Sequence, residues 1–141
     1  MSAEANKTSI QRTIKEFFNQ ENLDTATELI ATDYTEHDPA PPAWPSGRAG
    51  LNHAVKLFHT AFPDIQWNIE DLIAEGDKVA VRLSVQGSHQ GDFMGIPPTG
   101  RSVTWTETHI IRIVGGQQVE HWGNRDMFGL LQQLGVIPQT G

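Results

Sequence analysis

The sequence contains no cysteine, which excludes disulfide bonds and thiolate chemistry and leaves only nitrogen and oxygen ligands for a metal ion. It also has no apolar stretch approaching the ~20 residues that cross a bilayer, so no membrane partner is expected. The start, Met1 to Lys7, lacks the basic start and the apolar central segment of a secretory signal. We therefore predict a cytoplasmic protein.

Basic residues are also scarce, with 10 Lys and Arg against 17 Asp and Glu and a net charge of −7. Nucleic-acid surfaces need clustered Lys and Arg, whereas those of this chain are scattered, so no nucleic-acid partner is expected. The 141 residues are 38% hydrophobic and 19% charged, which is typical of a globular protein. This length predicts one domain that spans residues 1–141.

Several motifs of known catalytic sites are absent. The six histidines show no HxH, HxxxH or HExxH spacing, so no metal site is predicted. There is no GxSxG, Walker or GxGxxG motif either, which removes the main support for nucleophilic serine, phosphate-binding and dinucleotide chemistry. Acid–base chemistry by a carboxylate or a histidine is then the leading class.

Apolar residues recur at helical spacing in four parts of the chain. They predict an amphipathic helix over residues 8–21, a short helix from Asp24, a third over 50–62 and a last over 126–134. A loop between Tyr34 and Gly50 is predicted instead from its prolines, which are Pro39, Pro41, Pro42 and Pro45. Trp44 in this loop is either a plug against the core, which we favour, or a flap over a pocket.

After Pro63 the period of the apolar residues changes to two, which indicates strands. One hairpin runs from Trp67 through a turn at Gly76, and a second runs from Val103 through Gly115-Gly116 to Trp122. Helices followed by an antiparallel meander predict an α+β domain, with helices packed on one face of a curved sheet.

Two titratable residues, Glu107 and His109, interrupt the apolar face of the third predicted strand. The face is otherwise formed by Val103, Trp105, Ile111 and Ile113. His89 and Asp71 fall on the apolar faces of the other predicted strands. Polar groups on such a face either pair with one another or line a cavity. A buried Glu–His pair fits the pattern, but several polar intrusions on one sheet favour a ligand pocket.

Asp126 follows the last predicted strand and directly precedes the last helix. A carboxylate in this position can be partly desolvated, which raises its pKa toward the range useful for proton transfer. Aspartate at a strand-to-helix junction is also a favoured helix N-cap, and this feature taken alone favours the cap. Asp126 is nevertheless our leading candidate for catalysis.

The segment from Gly91 to Arg101, followed by Val103-Thr104-Trp105, closely resembles the SnoaL-like polyketide (ester) cyclase family. The resemblance extends over nearly the whole chain, through segments 33–39, 62–64, 71–77 and 119–122, Asp126 and 130–135. It implies a cone-shaped α+β fold of the nuclear transport factor 2 type. In this fold a curved antiparallel sheet, wrapped by N-terminal helices, encloses one deep pocket.

The resemblance also implies aldol catalysis without a cofactor, with Asp126 as the acid and base and His109 as a pocket histidine. We hypothesise that Asp126 removes a proton from a methylene flanked by carbonyls on a polyketide-like ester and that the enolate closes a ring. His109 would donate to the enolate oxygen. The small hydrophobic or aromatic ligand would be bound by a wider set of side chains: Trp105, Trp122, Glu107, His37, His89, Phe93 and Met94.

Two alternatives remain open. A hydrolase or hydratase of the same fold would use the carboxylate to activate water, and a non-catalytic module would only bind a small molecule or dimerise. In the latter, Asp126 would merely cap the last helix. Small and polar residues on the outward sheet face, such as Thr104, Thr106 and Thr108, allow a wet but specific interface. We therefore expect a homodimer or a higher homo-oligomer.

Overall fold

The computed structural model describes residues 2–38 and 40–138, so Pro39 of the predicted loop lies outside the described residues. The helices and strands follow one another in this order: α1 (Ala3–Arg12), a π-helical segment (Thr13–Asn19), α2 (Leu23–Leu29), β1 (Ile30–Glu36), α3 (Gly47–Ala61), β2 (Gln66–Glu75), β3 (Lys78–Ser88), β4 (Ser102–Val114), β5 (Gln117–Arg125) and α4 (Met127–Gln133). The predicted α+β class is confirmed. No helix among these residues is long and apolar enough to cross a membrane.

The five strands form one sheet in the order β1-β5-β4-β3-β2. Strands β2 to β5 make the predicted antiparallel meander, whereas β1 pairs in parallel with β5 at the edge of the sheet. Sequence analysis missed β1 because its apolar residues do not alternate and its register with β5 shifts between Ile30 and Thr35. This strand carries the chain directly to the site described below.

A bulge in β2 corrects the predicted position of Asp71. The register with β3 shifts between Ile69 and Asp71, and such a shift of one residue moves the following side chains to the opposite face. Asp71 therefore lies on the outer face, where its carboxylate accepts a hydrogen bond of 2.7 Å from Nε of Arg82. Ile73, which follows Asp71 by two residues and shares its face, is 65% exposed for the same reason.

The helices cover the inner face of the sheet. Helix α1 begins at Ala3, where Ser2 caps it, and it packs on β2 and β3 through residues such as Ile10. The π-helical segment that follows is fixed to β2, because the Asn19 amide both donates to and accepts from the backbone of Trp67. Helix α3 packs on β1, and the main core lies between the helices and β2 to β4.

Core packing predicts a large difference between two aliphatic residues of neighbouring strands. Leu83 is fully buried in the main core, so Leu83→Ala leaves a cavity and is expected to lower the free energy of unfolding by about 2–5 kcal/mol. The control Val114→Ala removes a half-exposed side chain at the last residue of β4 and is expected to cost less than about 1 kcal/mol. Urea unfolding of both variants measures this, and equal losses would contradict the assigned facing of β3 and β4.

Candidate active site

A cleft of about 660 Å³ opens between the loop of residues 40–46, helix α3 and the ends of β1 and β5. Its walls are mostly apolar and include Leu51, Leu57 and Phe58. Its charged groups converge at the inner end, where β1 and β5 supply Glu36 and Arg125. A concave, largely apolar surface with a few convergent polar groups is the usual form of a small-molecule site.

Trp44 forms part of the outer wall of this cleft and is not a plug in the core. Its indole packs edge-on against His53 of α3, with ring centroids 4.7 Å apart. The loop packs closely on the first turn of α3, because a Cβ at Gly50 would clash with the carbonyl oxygen of Pro45. Trp44 therefore occupies the flap position that the sequence left as one of two alternatives.

A smaller cavity of about 30 Å³ lies deeper, between α1 and the sheet. His109 and His121 line it, and Tyr34, Leu51 and Arg125 line both this cavity and the cleft. Its volume is close to that of one water molecule. The two histidines thus lie behind the cleft, separated from it by a thin layer of shared side chains.

Hydrogen bonds join five titratable side chains into one buried row. Glu107 Oε1 lies 2.9 Å from His109 Nε2, and His109 Nδ1 lies 2.7 Å from His121 Nε2. His121 Nδ1 lies 2.6 Å from Glu36 Oε1, and the hydroxyl of Tyr34 donates to Glu36 Oε2 at 2.7 Å. The row runs from the sheet interior to the surface of the cleft, so a proton has a continuous path along it.

The strand register produces this row. In the β4–β5 pairing Glu107 lies opposite Arg125 and His109 lies opposite Gly123, while in the β1–β5 pairing Glu36 lies opposite His121. Residues on adjacent strands that share one face lie within hydrogen-bonding reach of each other. Three neighbouring strands therefore bring two carboxylates, two imidazoles and a guanidinium together.

Arg125 supplies the positive charge at the inner end of the cleft. It is paired with Asp38, and its Nε lies 3.4 Å from Glu107 Oε2. Burial alone would lower the pKa of this guanidinium, but the charges of Glu107 and Asp38 outweigh burial and raise it. Arg125 therefore remains a cation that lines both cavities.

The buried carboxyl groups of the row remain ionised. Burial alone would raise the pKa of Glu36, but hydrogen bonds from His121 and Tyr34 outweigh it and hold the pKa below its ordinary value. The pKa of Glu107 is also lowered against its burial, by the hydrogen bond with His109 and the charge of Arg125. Burial lowers the pKa of His109 despite its contact with Glu107. The site therefore holds two carboxylate charges, one buried in the sheet on Glu107 and one at the surface of the cleft on Glu36.

The structure brings together only some of the predicted site residues. Glu107 and His109 are 3% and 4% exposed and lie at the centre of the row, as a pocket or a buried pair requires. Their partners His121, Glu36 and Arg125 were missed. Glu36 lies on a strand that the sequence did not predict. His121 and Arg125 lie on the same face of β5, but which face this is depends on a register shift between β4 and β5 at Arg112 and Ile113.

Asp126 lies outside both cavities. Its side chain is exposed and accepts a hydrogen bond of 2.9 Å from the backbone N–H of Gly129, which makes it the N-cap of α4. It is not among the residues that line the cleft or the inner cavity. The catalytic role predicted for Asp126 stays untested, but its position is that of the alternative, a helix cap.

Three further predicted contacts belong to the core. Trp105 is buried against Phe62 and donates its indole N–H to Glu107 Oε2 at 2.8 Å. Phe93 is buried, and His89 accepts a hydrogen bond from the backbone N–H of Thr99. None of the three lines the cleft or the inner cavity, so Trp105 reaches the site indirectly, through Glu107 and through its packing against Phe58.

The remaining predicted contacts lie at the rim or outside. Met94 and His37 line the cleft, and the His37 ring stacks on Trp122 with centroids 4.8 Å apart. Trp122 points to the outer face of the sheet, because it neighbours the inward His121 in an extended strand. It therefore supports His37 from behind and does not form a wall of the cleft. Among the described residues, no three His, Asp or Glu side chains are grouped as metal ligands.

The fold and the site define a class: an α+β protein with a small-molecule cleft that ends in an ionised acid–base row. The chain belongs to the SnoaL-like polyketide cyclase family, whose sequence profile matches residues 8–134. The resemblance found in the sequence is thereby confirmed.

Several related proteins are similar over most of this chain. DnrD from Streptomyces peucetius, an aklanonic acid methyl ester cyclase, is 30% identical over 131 residues, covering 88% of this chain and 87% of DnrD. AclR from Streptomyces galilaeus, provisionally described as a hydroxylase, superposes with a TM-score of 0.86 at 30% identity, covering 99% of this chain and 87% of AclR. IdmH from Streptomyces antibioticus, provisionally described as a polyketide cyclase, gives 0.80 at 36% identity, covering 92% and 97%.

The cap assignment of Asp126 predicts a modest effect on stability. Asp126→Ala removes the acceptor for the N–H of Gly129 and is expected to lower the free energy of unfolding by about 0.5–2 kcal/mol. Asp126→Asn keeps an acceptor and is expected to retain most of that stability. Thermal or urea unfolding of both variants measures this, and an alanine variant as stable as the parent would argue against the cap.

Proposed function

We propose that the chain catalyses the cyclisation of a polyketide-type ester by intramolecular aldol addition in the cleft, without a cofactor. The observation that carries this proposal is the carboxylate–imidazole row that ends at Glu36 beside Arg125, at the inner end of an apolar cleft. The family supports it, because a relative that is 30% identical over 131 residues is an aklanonic acid methyl ester cyclase.

In the proposed reaction Glu36 exchanges the proton. Its carboxylate removes a proton from a methylene flanked by two carbonyls, and the resulting enolate oxygen lies against the guanidinium of Arg125. The enolate carbon then attacks an internal carbonyl, so that a C–C bond forms and the carbonyl electron pair becomes an alkoxide. Glu36 returns its proton to that alkoxide. No atom is gained or lost, and the product is an isomer of the substrate.

The ionised state of Glu36 suits this sequence of steps. A carboxylate whose pKa is lowered is a weak base, but a methylene between two carbonyls is already acidic and its enolate is stabilised by a preorganised cation. The protonated Glu36 is correspondingly a good acid and readily protonates the alkoxide. The apolar walls, including Leu51 and Phe58, would fold the chain so that the two carbons meet and would exclude water.

This assignment moves the acid–base role from Asp126 to Glu36 while keeping His109 in the site. His109 does not reach the cleft directly but acts on Glu36 through His121. The enolate-binding role predicted for His109 passes to Arg125, which lines the cleft itself. Met94 and His37 remain proposed substrate contacts at the rim.

A reaction with water is the second candidate. The inner cavity lies against both imidazoles and has the volume of about one water molecule. In that case the Glu36–His121 couple would activate water for addition or hydrolysis. A binding module without catalysis is the third, and it predicts binding of the ester without turnover.

Product mass and solvent isotope distinguish these functions. With aklanonic acid methyl ester as the probe substrate, we expect an isomeric product of unchanged mass and no incorporation of oxygen from H₂¹⁸O. Glu36→Gln keeps the shape of the side chain but removes the base, so we expect kcat to fall by about 10²- to 10⁴-fold. The control Asp126→Asn lies outside the cleft and is expected to retain the parental rate within about threefold.

The controls also separate the competing assignments. A parental rate for Glu36→Gln together with a large loss for Asp126→Asn would return the acid–base role to Asp126. Incorporation of ¹⁸O would identify the reaction with water, and saturable binding without any product would identify a binding module.

We also propose a homodimer formed through the outer face of the sheet. Ile73, Ala80, Ile110 and Trp122 are successive cross-strand neighbours on β2 to β5, so they form one apolar row on this face. Sedimentation equilibrium is expected to give twice the mass of the chain, and Ile110→Lys, which places a charge in the row, is expected to shift the population toward monomer. A monomeric parent at micromolar concentration would contradict this.

A further inference from the structure

The position opposite His109 in the sheet must be glycine for the two imidazoles to meet. Gly123 pairs with His109 across β4 and β5, and a Cβ on it would lie 2.6 Å from His109 Nδ1 and 2.9 Å from His121 Nε2. These are the same two nitrogens that contact each other at 2.7 Å. Real Cβ atoms essentially never come so close, so any side chain at this position would separate the rings.

The contacts along the row fix the number of its protons. Three successive contacts join Glu107, His109, His121 and Glu36, and each needs one hydrogen between its two heavy atoms. Two ionised carboxylates and two neutral imidazoles would supply only two hydrogens, so one contact would bring two lone pairs together. The observed distances therefore call for three protons, one more than the neutral imidazoles carry.

The third proton belongs to the imidazoles and not to the carboxylates. Glu36 and Glu107 both have lowered pKa values, which keeps them ionised. Each accepts a hydrogen bond from an outer ring nitrogen, and the third proton then lies in the contact between the inner nitrogens of His109 and His121.

We propose that His109 and His121 act as one singly protonated unit, and that Gly123 and Glu107 are positioning residues that hold it. Gly123 does so by leaving room for the ring contact, and Glu107 by orienting His109 with a buried negative charge. The number of protons follows from the three contact distances. The effect of the third proton on catalysis rests on the proposed cyclase function.

The positive charge shared by the two imidazole rings offsets the negative charge that forms on the enolate. The groups that face the unit are Glu36, Asp38 and Glu107, which are negative, Arg125, which is positive, and the neutral hydroxyl of Tyr34. The residues of α1 and of the π-helical segment that line the inner cavity, Ile10, Thr13, Ile14 and Phe18, are uncharged. With the third proton the cluster carries one negative charge, and it becomes neutral when Glu36 takes the substrate proton. Without that proton, the enolate would form beside a cluster that is still negative.

Nitrogen-15 NMR of histidine-labelled protein counts the protons without any substrate. At neutral pH we expect three of the four ring nitrogens of His109 and His121 to be protonated, with a strongly deshielded proton shared between the rings. Gly123→Ala is expected to remove that signal and leave two protonated nitrogens. His109→Gln, which keeps a donor toward Glu107, is expected to remove the signal as well. The control His59→Gln lies outside the row, hydrogen-bonded to the Phe18 carbonyl, and is expected to leave it unchanged.

The pH profile of kcat tests the catalytic consequence. The third proton is present at low pH and lost as pH rises, so the parent is expected to lose activity on the alkaline side. Gly123→Ala and Glu107→Gln lower the affinity of the two rings for that proton. The loss of activity is therefore expected at a lower pH in these variants than in the parent. At pH 8 we expect kcat to fall by about 10- to 100-fold, with KM changed less than about threefold because neither residue lines the cleft.

Each readout has its own contradicting result. Two protonated nitrogens in the parent at neutral pH, or a shared-proton signal that survives in both Gly123→Ala and His109→Gln, would overturn the singly protonated unit. The NMR result does not depend on whether the ester is a substrate. The NMR result can be as expected while the alkaline side of the kcat profile is the same in parent and variants. In that case the number of protons stands, but the positioning role of Gly123 and Glu107 in catalysis is overturned.

Discussion

The contact between His109 and His121 is the interaction on which the site depends. It joins a carboxylate buried in the sheet, Glu107, to one at the cleft surface, Glu36, and so makes two separate acid groups into one row. Ionised groups buried without partners are strongly destabilising, and here each carboxylate is compensated by an imidazole donor and by the nearby charge of Arg125. The row is therefore both the most demanding polar feature of the interior and the one best placed to move a proton.

The fold supplies this contact through strand register and not through loop geometry. The parallel edge strand β1 places Glu36 opposite His121, and the antiparallel neighbours β4 and β5 place His109 opposite Gly123. The loop of residues 40–46 and helix α3 then build the apolar walls over the end of the row. Substrate shape can thus vary with the walls while the acid–base row stays on rigid strands, which hold catalytic geometry better than loops do.

Sequence patterns predicted the elements with strong periodicity and the polar residues that interrupt them. Glu107 and His109 were identifiable because they break an apolar strand face, and the hairpins and helices followed from their periods of two and 3.6. Strand β1 was not identifiable, since Ile30–Glu36 does not alternate and its pairing partner lies more than 80 residues away. Because β1 was not predicted, Glu36 and its contact with His121 were not predicted either. Asp71 was misplaced because a bulge leaves no clear mark in the sequence. At Asp126 a helix cap and a catalytic acid share the same local pattern, so the sequence does not separate the two roles.

A crystal structure of the chain with a cyclised polyketide ester bound is the sharpest check on the acid–base role of Glu36. We expect the ligand to fill the cleft below Trp44, with the new hydroxyl within hydrogen-bonding distance of Glu36 and the former enolate oxygen against Arg125. A ligand bound elsewhere, or one whose reacting atoms face Asp126 across the surface of α4, would contradict that role.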